Sequence, residues 1–275
     1  MDLHDQDPVD TEHTVRQRKG GRLPAIGIAA AAVALAVAAT TLPSALNPLA
    51  EERFCDKPWV LKGPILAKYK ELGGPDKAPY CPVGPITATP DGHGQYAQFH
   101  DGLIYWSDNT GAHPVWGEIS KKWEALGRAA GKLGYPMADE QETDKGGRRQ
   151  EFQHGTIYYF SPAEGAHAVW DEIGEKWGQL HWESGPLGFP VTDERTNPDG
   201  GKSQDFEGGT IAWHPSRSHG AHAVLVKIKE KWLQHGAENG DYGYPVADEV
   251  YRDSVYSQEF ERGVIRWDVV IGGYR

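Results

Sequence analysis

The chain has 275 residues, 39% of them hydrophobic and 24% charged, enough for one sizeable core or two modest ones. The formal net charge is -11, and residues 1 to 50 hold five acids and four bases, so ten of the eleven negative charges fall on the rest. An acidic body without a Lys and Arg surplus sets nucleic acid and anionic lipid headgroups aside as partners, and two Cys are too few for a disulfide scaffold or a zinc ribbon.

In chain order, residues 1–22 read as a polar tail ending in the basic cluster Arg16, Arg18, Lys19 and Arg22. An apolar, Ala-rich stretch runs from Leu23 to Ala39 and continues weakly to Leu42. The basic flank belongs in the cytoplasm, so the chain after the stretch faces out. In length the stretch lies between a long signal-peptide core and a short membrane span. It is either an anchor over 23–42 that holds the protein on the membrane, or a signal segment cut near Ala36-Val37-Ala38 that releases it to the wall. Residues 43–57 read as a linker. In an oxidising compartment Cys55 and Cys81 are expected to close a disulfide, the alternative being two buried thiols.

From residue 58 onward one unit is written four times. Phe99, Phe152, Phe206 and Phe260 each stand three residues before a Gly, and the same register aligns Pro82, Pro136, Pro190 and Pro245, then Tyr69, Trp123, Trp177 and Trp232. Such self-similarity marks a tandem array, with approximate copies at 58–110, 111–164, 165–219 and 220–275. Each copy opens with apolar residues at i, i+4, i+8 and i+11, as in Val115, Ile119, Trp123 and Leu126, which predicts one buried face of a short helix. Gly73, Gly127 and Gly236 suit its stop. Next comes a Gly-aromatic-Pro turn that fixes Tyr135, Phe189 and Tyr244 as packing pegs. After a polar loop, strand alternation places Ile104, Ile157, Ile211 and Ile265 on one face. Tyr105, Tyr158, Ala212 and Arg266 fall on the other, outer face. Ala-His-x-Val supplies a third short strand. The expected fold class is an α+β tandem repeat: four units of one short helix plus a small antiparallel β-meander, set as a propeller-like ring or a compact arc.

The octapeptide Leu-Gly-Phe-Pro-Val-Thr-Asp-Glu at 187–194, with its companions at 133–140 and 242–249, resembles the LGFP repeat of actinobacterial cell-envelope proteins. The resemblance extends over roughly 58–270. It implies an exported body that associates with cell-wall polysaccharide of the arabinogalactan type, as such repeats do when attached to mycoloyltransferases and amidases. The first copy departs from the pattern: Pro79-Tyr80-Cys81-Pro82 replaces the motif, and Pro85 and Ile86 stand where Asp and Glu occur elsewhere.

A residue that recurs in every copy usually holds the copy together, whereas a catalytic centre needs unlike groups converging on one atom. The adjacent acids Asp139-Glu140, Asp193-Glu194 and Asp248-Glu249 point to opposite sides of an extended chain, so they do not face each other across a sugar as a glycosidase pair does. They read as a turn-capping Asp beside a solvated Glu. His113, His167 and His222 lack the local spacing of zinc ligands and read as side chains bonded to a loop carbonyl. No nucleophile elbow, phosphate loop or His-Glu-x-x-His motif occurs. The expectation is a protein without catalysis, cofactor or metal. Binding is left to aromatics that break the repeat or sit on its outer face, namely Tyr105, Tyr158 and Trp182, with Arg266 in the matching place of the last copy. Aromatic plates suit the flat faces of sugars. The rival roles are an adaptor that docks an envelope protein and a hydrolase acting on wall glycan.

Overall fold

The computed structural model describes residues 50–275. The tail, the apolar stretch and residues 43–49 of the linker lie outside the described residues. Among the described residues no helix is long and apolar enough to cross a membrane.

A hairpin comes first, β1 (Glu51–Arg53) pairing antiparallel with β2 (Val60–Lys62), so the end of the expected linker belongs to the folded body. From there helix and sheet alternate. α1 (Gly63–Glu71) precedes β3 (Thr87–Ala88), β4 (Gly94–Phe99), β5 (Gly102–Ser107) and β6 (Gly111–Val115). α2 (Gly117–Ala125) precedes β7 (Gln141–Glu142), β8 (Arg148–Phe152), β9 (Gly155–Tyr159) and β10 (Ala166–Val169). α3 (Asp171–Gln179) precedes β11 (Arg195–Thr196), β12 (Lys202–Phe206), β13 (Gly209–Trp213) and β14 (His222–Leu225). α4 (Val226–Gln234) precedes β15 (Val250–Arg252), β16 (Val255–Phe260), β17 (Gly263–Asp268) and β18 (Gly273–Tyr274).

Each of these sheets is a four-stranded antiparallel meander in chain order, and none closes into a barrel. Three strands were expected. The extra one, β3, β7, β11 or β15, is two or three residues long and fully exposed, so it leaves no alternation of hydropathy to read. The helices also begin two residues later than the apolar spacing suggests. Lys62, Trp116 and Trp170 are extended N-cap residues, so Leu61, Val115 and Val169 reach the core from the preceding strand.

The aligned landmarks bond to one another. The indole Nε1 of Trp123, Trp177 and Trp232 donates to the carbonyl of Gly134, Gly188 and Gly243 at 3.0, 3.2 and 2.8 Å. In the first copy the Tyr69 hydroxyl does the same to the Tyr80 carbonyl at 2.6 Å. Each motif Pro bridges its Phe, as Pro136 does Phe152. The pegs reach back into the preceding copy: Tyr135 Oη donates to Asp91 at 2.6 Å, and Phe189 stacks on Phe160 with centroids 4.6 Å apart.

Both faces of the first three sheets are covered, which corrects the placing of Tyr105 and Tyr158 on an outer face. They are 2% and 3% exposed, because the helix of the following copy lies over them. Tyr105 meets Trp123 edge-on at 4.6 Å, and Tyr158 meets Trp177 at 4.7 Å. Ala212 is buried in the same way with Ile228 and Trp232. Burying an aromatic of this kind stabilises by about 2 kcal/mol, so an apparently outer Tyr is a joint between copies. On the last sheet the matching face stays open, and Arg266 there is exposed. At the other end the β1–β2 hairpin covers α1. Phe54 meets Tyr69 edge-on at 4.9 Å, and a Cys55–Cys81 disulfide ties the hairpin turn to the first copy's altered motif.

Candidate functional site

Recurrent polar side chains join consecutive copies. Lys68, Lys122 and Lys176, one on each of α1 to α3, donate to Oδ2 of Asp139, Asp193 and Asp248 at 3.1, 2.7 and 2.5 Å. The other carboxylate oxygen of each Asp meets Nδ1 of His113, His167 and His222 at 2.6, 3.1 and 2.9 Å. The second ring nitrogen faces the carbonyls of Thr110, Glu164 and Ser218. The imidazoles are bonded to loop carbonyls as expected, but the Asp is a clip between a helix and a strand instead of a turn cap. Burial alone would raise these carboxyls, yet the His and Lys hydrogen bonds hold all three below the usual range, Asp193 at about 2. Since the Asp reaches back to a preceding helix, the first copy has no use for one, and Pro85 stands in its place.

The neighbouring Glu is not solvated either. The side chains of Glu140 and Glu194 are 7% and 5% exposed and pair with Arg148 and Lys202, each at 2.5 Å. In the last copy Tyr256 replaces that cation, and burial pushes the Glu249 carboxyl up. Gln150, Gln204 and Gln258 form a further tie that sequence reasoning missed. Each amide donates to a carbonyl of the preceding sheet, Pro114, Ala168 or Ala223, and to one of its own turn. The signal was present: a Gln two residues before Phe152, Phe206 and Phe260, with Ala97 in the first copy, which among the described residues has no four-stranded meander before it.

These ties run beside the seams where a helix packs on the preceding sheet, and the seams are filled differently. Against β5, α2 presents Ser120 and Glu124, bonded at 3.3 Å, and Arg128 closes the end by pairing with Glu124 at 3.1 Å. At the position of Ser120, α4 carries Lys229, which reaches Asp205 and the Gly209 carbonyl, both at 3.1 Å. α3 carries Gly174 and Gly178 at the positions of Ser120 and Glu124. Two interior glycines in a nine-residue helix are each unfavourable by about 1 kcal/mol relative to Ala. Their effect is to leave a cleft of about 810 Å³, with His154 and Thr156 of sheet β7–β10 on one side and Asp171, Glu175 and Gln179 along α3 on the other.

Trp182 stands at the end of this cleft. The helix-stop position holds a left-handed Gly in the other copies, Gly73, Gly127 and Gly236, but here it is His181 at φ 68°. Trp182 follows at φ 49° and Asp171 opens the helix at φ 46°. The left-handed turn at Trp182 belongs to the repeat, since Arg128 and Ala237 take φ 56° and 51° in the same place, whereas His181 and Asp171 stand where Gly127 and Gly117 take those angles without a side chain. Two strained side chains that border one region cost energy which packing elsewhere must offset. The indole lies over Gly178, where an added Cβ would fall 3.3 Å from Trp182 Nε1. Trp182 is 50% exposed, the one exposed Trp among the described residues. Trp170, also lining the cleft, is buried, and its indole N–H finds no partner among the described residues. Lys132 sits 4.5 Å over the Trp170 ring and pairs with Asp171 at 2.9 Å.

Of the expected binding residues, Trp182 and Tyr158 therefore meet at one cleft, with Tyr158 buried in its wall and its hydroxyl pushed up to about 12 by burial. Tyr105 lies in the filled seam under α2, and Arg266 is on the open face of the last sheet. Trp182 also borders a smaller hollow of about 320 Å³ with Thr143, Arg149 and Glu183. A half-exposed indole beside a row of acceptors and an unpartnered donor can hold a flat, hydroxylated ring. No cluster of three or more His, Cys, Asp or Glu able to hold a metal occurs among the described residues.

No curated protein matches the chain. Among solved structures, the extracellular domain of the hybrid two component system BT3049 of B. thetaiotaomicron is 8% identical with a TM-score of 0.16, over 68% of this chain and 21% of that one. The corresponding domain of BT4673 from the same organism is 9% identical with a TM-score of 0.16, over 67% and 21%. The chain thus spans about a fifth of the length of these proteins, and superposition at this level does not reach a common fold. The family model of the LGFP repeat matches residues 81–131, 133–185 and 187–240, which hold the Lys122–Asp193–His167 clip, the Trp123-to-Gly134 and Trp177-to-Gly188 bonds and the motif turns at 133 and 187. The chain belongs to the LGFP repeat family.

Proposed function

We propose that this protein is a non-catalytic, exported repeat protein that associates with cell-envelope polysaccharide, its four copies forming an open row instead of a closed ring. Trp182 carries the proposal. It is the one exposed Trp among the described residues, held half in solvent after a left-handed His181 and beside a cleft that two glycines keep empty. The open row is supported by the exposed face around Arg266 at one end and the disulfide-pinned hairpin at the other. The absence of catalysis is supported by the acids: each repeated Asp is held by a Lys and a His, and Glu140 and Glu194 by cations. Export rests on the basic tail and apolar stretch at the front of the chain.

The test is retention of the full-length protein on insoluble actinobacterial wall stripped of its own proteins. Retention is expected, without release of soluble sugar. Retention only on wall that keeps its proteins would favour the adaptor role, and release of sugar would identify a hydrolase.

A further inference from the structure

The geometry points to the seam between β9 and α3 as a site for an uncharged glycan chain, lying along the Gly174–Gly178 groove with one sugar ring against the Trp182 indole. It rests on the reading of the protein as a polysaccharide binder and adds the place and the ligand class.

The groove is built by subtraction. Ser120 and Glu124, or Lys229 and Leu233, fill the equivalent helix positions in the neighbouring copies, so its presence at α3 alone is local to the third copy. Asp171, Glu175 and Gln179 follow each other at i and i+4 along its edge, a row of acceptors about 12 Å long by the helical rise, enough for more than one ring. They face hydroxyl donors, not a reacting atom. Trp170 is a residue of the wall, and its buried N–H has no partner among the described residues, which is costly unless an acceptor reaches it. Charge sets the class. Lys132 is already paired with Asp171, Arg149 lies beside Gln141 and Glu151, and Glu175 has no cation partner among the described residues. A uronate or a phosphodiester would therefore meet net repulsion, while an uncharged pentose or hexose chain would not. A flat floor of helix backbone beside an indole suits rings better than a peptide, whose alternating side chains would need pockets.

Protein-stripped wall polysaccharide, solubilised and separated by anion exchange into uncharged, acidic and peptide-bearing fractions, supplies the probes. Titrating each into the full-length protein while following tryptophan fluorescence should show the uncharged fraction binding at least tenfold more tightly than the others. Trp182→Ala and Gly174→Lys should each weaken it at least tenfold. The second variant copies the Lys229 filling of the next seam, and an added Cβ at Gly174 meets only ordinary contacts, so the fold is kept. Preference for the acidic or peptide-bearing fraction, or unchanged affinity in both variants, would overturn the site. If the variants are still retained on whole wall, the protein binds polysaccharide elsewhere and only the site fails. If the wild type is not retained at all, the underlying reading fails with it.

Discussion

Lys122 Nζ and Asp193 Oδ2 lie 2.7 Å apart although 71 residues separate them, and the same bond recurs at Lys68–Asp139 and Lys176–Asp248. The bond joins the helix of one copy to the motif of the next, so it stabilises the interface and not either copy alone. Asp193 is about half exposed and Lys122 largely covered, which places the interaction between a surface pair and a buried one. Asp193→Asn should lower stability by about 1 kcal/mol, and a double-mutant cycle with Lys122→Met should return a coupling of similar size. Urea unfolding reads both. Strictly additive losses would mean that the pair contributes nothing to the joint.

Acid should loosen these joints together. Asp139, Asp193 and Asp248 all titrate below their usual value in the folded protein. Their contribution is therefore fully present above the unfolded carboxyl value and lost as pH falls through the folded one. Urea midpoints should be level near neutrality and fall between about pH 4 and about 2, with a shallower fall in Asp193→Asn. Glu249 works the other way, since burial without a cation raises it, so its charging removes stability as pH rises. Asp91, Asp199 and Asp205 are lowered as well, so six lowered aspartates stand against one raised carboxyl. The net slope at acid pH should follow the aspartates, and the clip's share is the part that Asp193→Asn removes. A flat profile down to pH 2 would contradict the clip.

Much of the fold was legible because packing in one copy repeats in the next. Phe152, Pro136, Trp123 and Gly134 kept their period, and in the structure they touch one another. What could not be read was which faces the stacking covers. Tyr105 alternates with Ile104 as an outward strand residue would, and only the arrival of α2 buries it. The same blindness applied to Asp193, whose partner Lys122 belongs to a different copy, and to the two-residue strands, which are too exposed to leave a pattern. The candidate cleft was half legible. Trp182 stands out as an aromatic with no counterpart, whereas Gly174, Gly178 and His181, equally out of register, carry no signal of their own in the sequence. Their meaning appears only when α3 is set against β9 beside the filled seams of its neighbours.

The disulfide makes a prediction at the N-terminal end. Cys55–Cys81 closes a 26-residue separation and holds the hairpin, with its Phe54 and buried Leu61, against Tyr69 of α1. By loop-closure entropy, its removal in a Cys55→Ser, Cys81→Ser pair should cost about 3 kcal/mol. Because the clips beyond the first copy are untouched, the loss should appear as early opening of β1, β2 and α1. Hydrogen exchange should show faster exchange there before any change in β12 and β13. Uniform loss across all sheets would mean that the stack unfolds as one cooperative block.

The glycines of α3 allow stability and binding to be separated. Gly174 has ordinary helical φ, and an added Cβ would lie 3.7 Å or more from its neighbours. Gly174→Ala should therefore recover the helix preference and raise stability by about 0.5–1 kcal/mol. Gly178 differs, because a Cβ there meets Trp182 at 3.3 Å. Gly178→Ala must displace the indole, and its gain in helix preference is offset by the lost seat for Trp182. Parallel urea curves should rank Gly174→Ala above wild type and Gly178→Ala at or below it, with a shift in tryptophan emission only for the second. If the first substitution destabilised by more than about 1 kcal/mol, the seam would have to be packed shut in solution and no cleft would exist at α3.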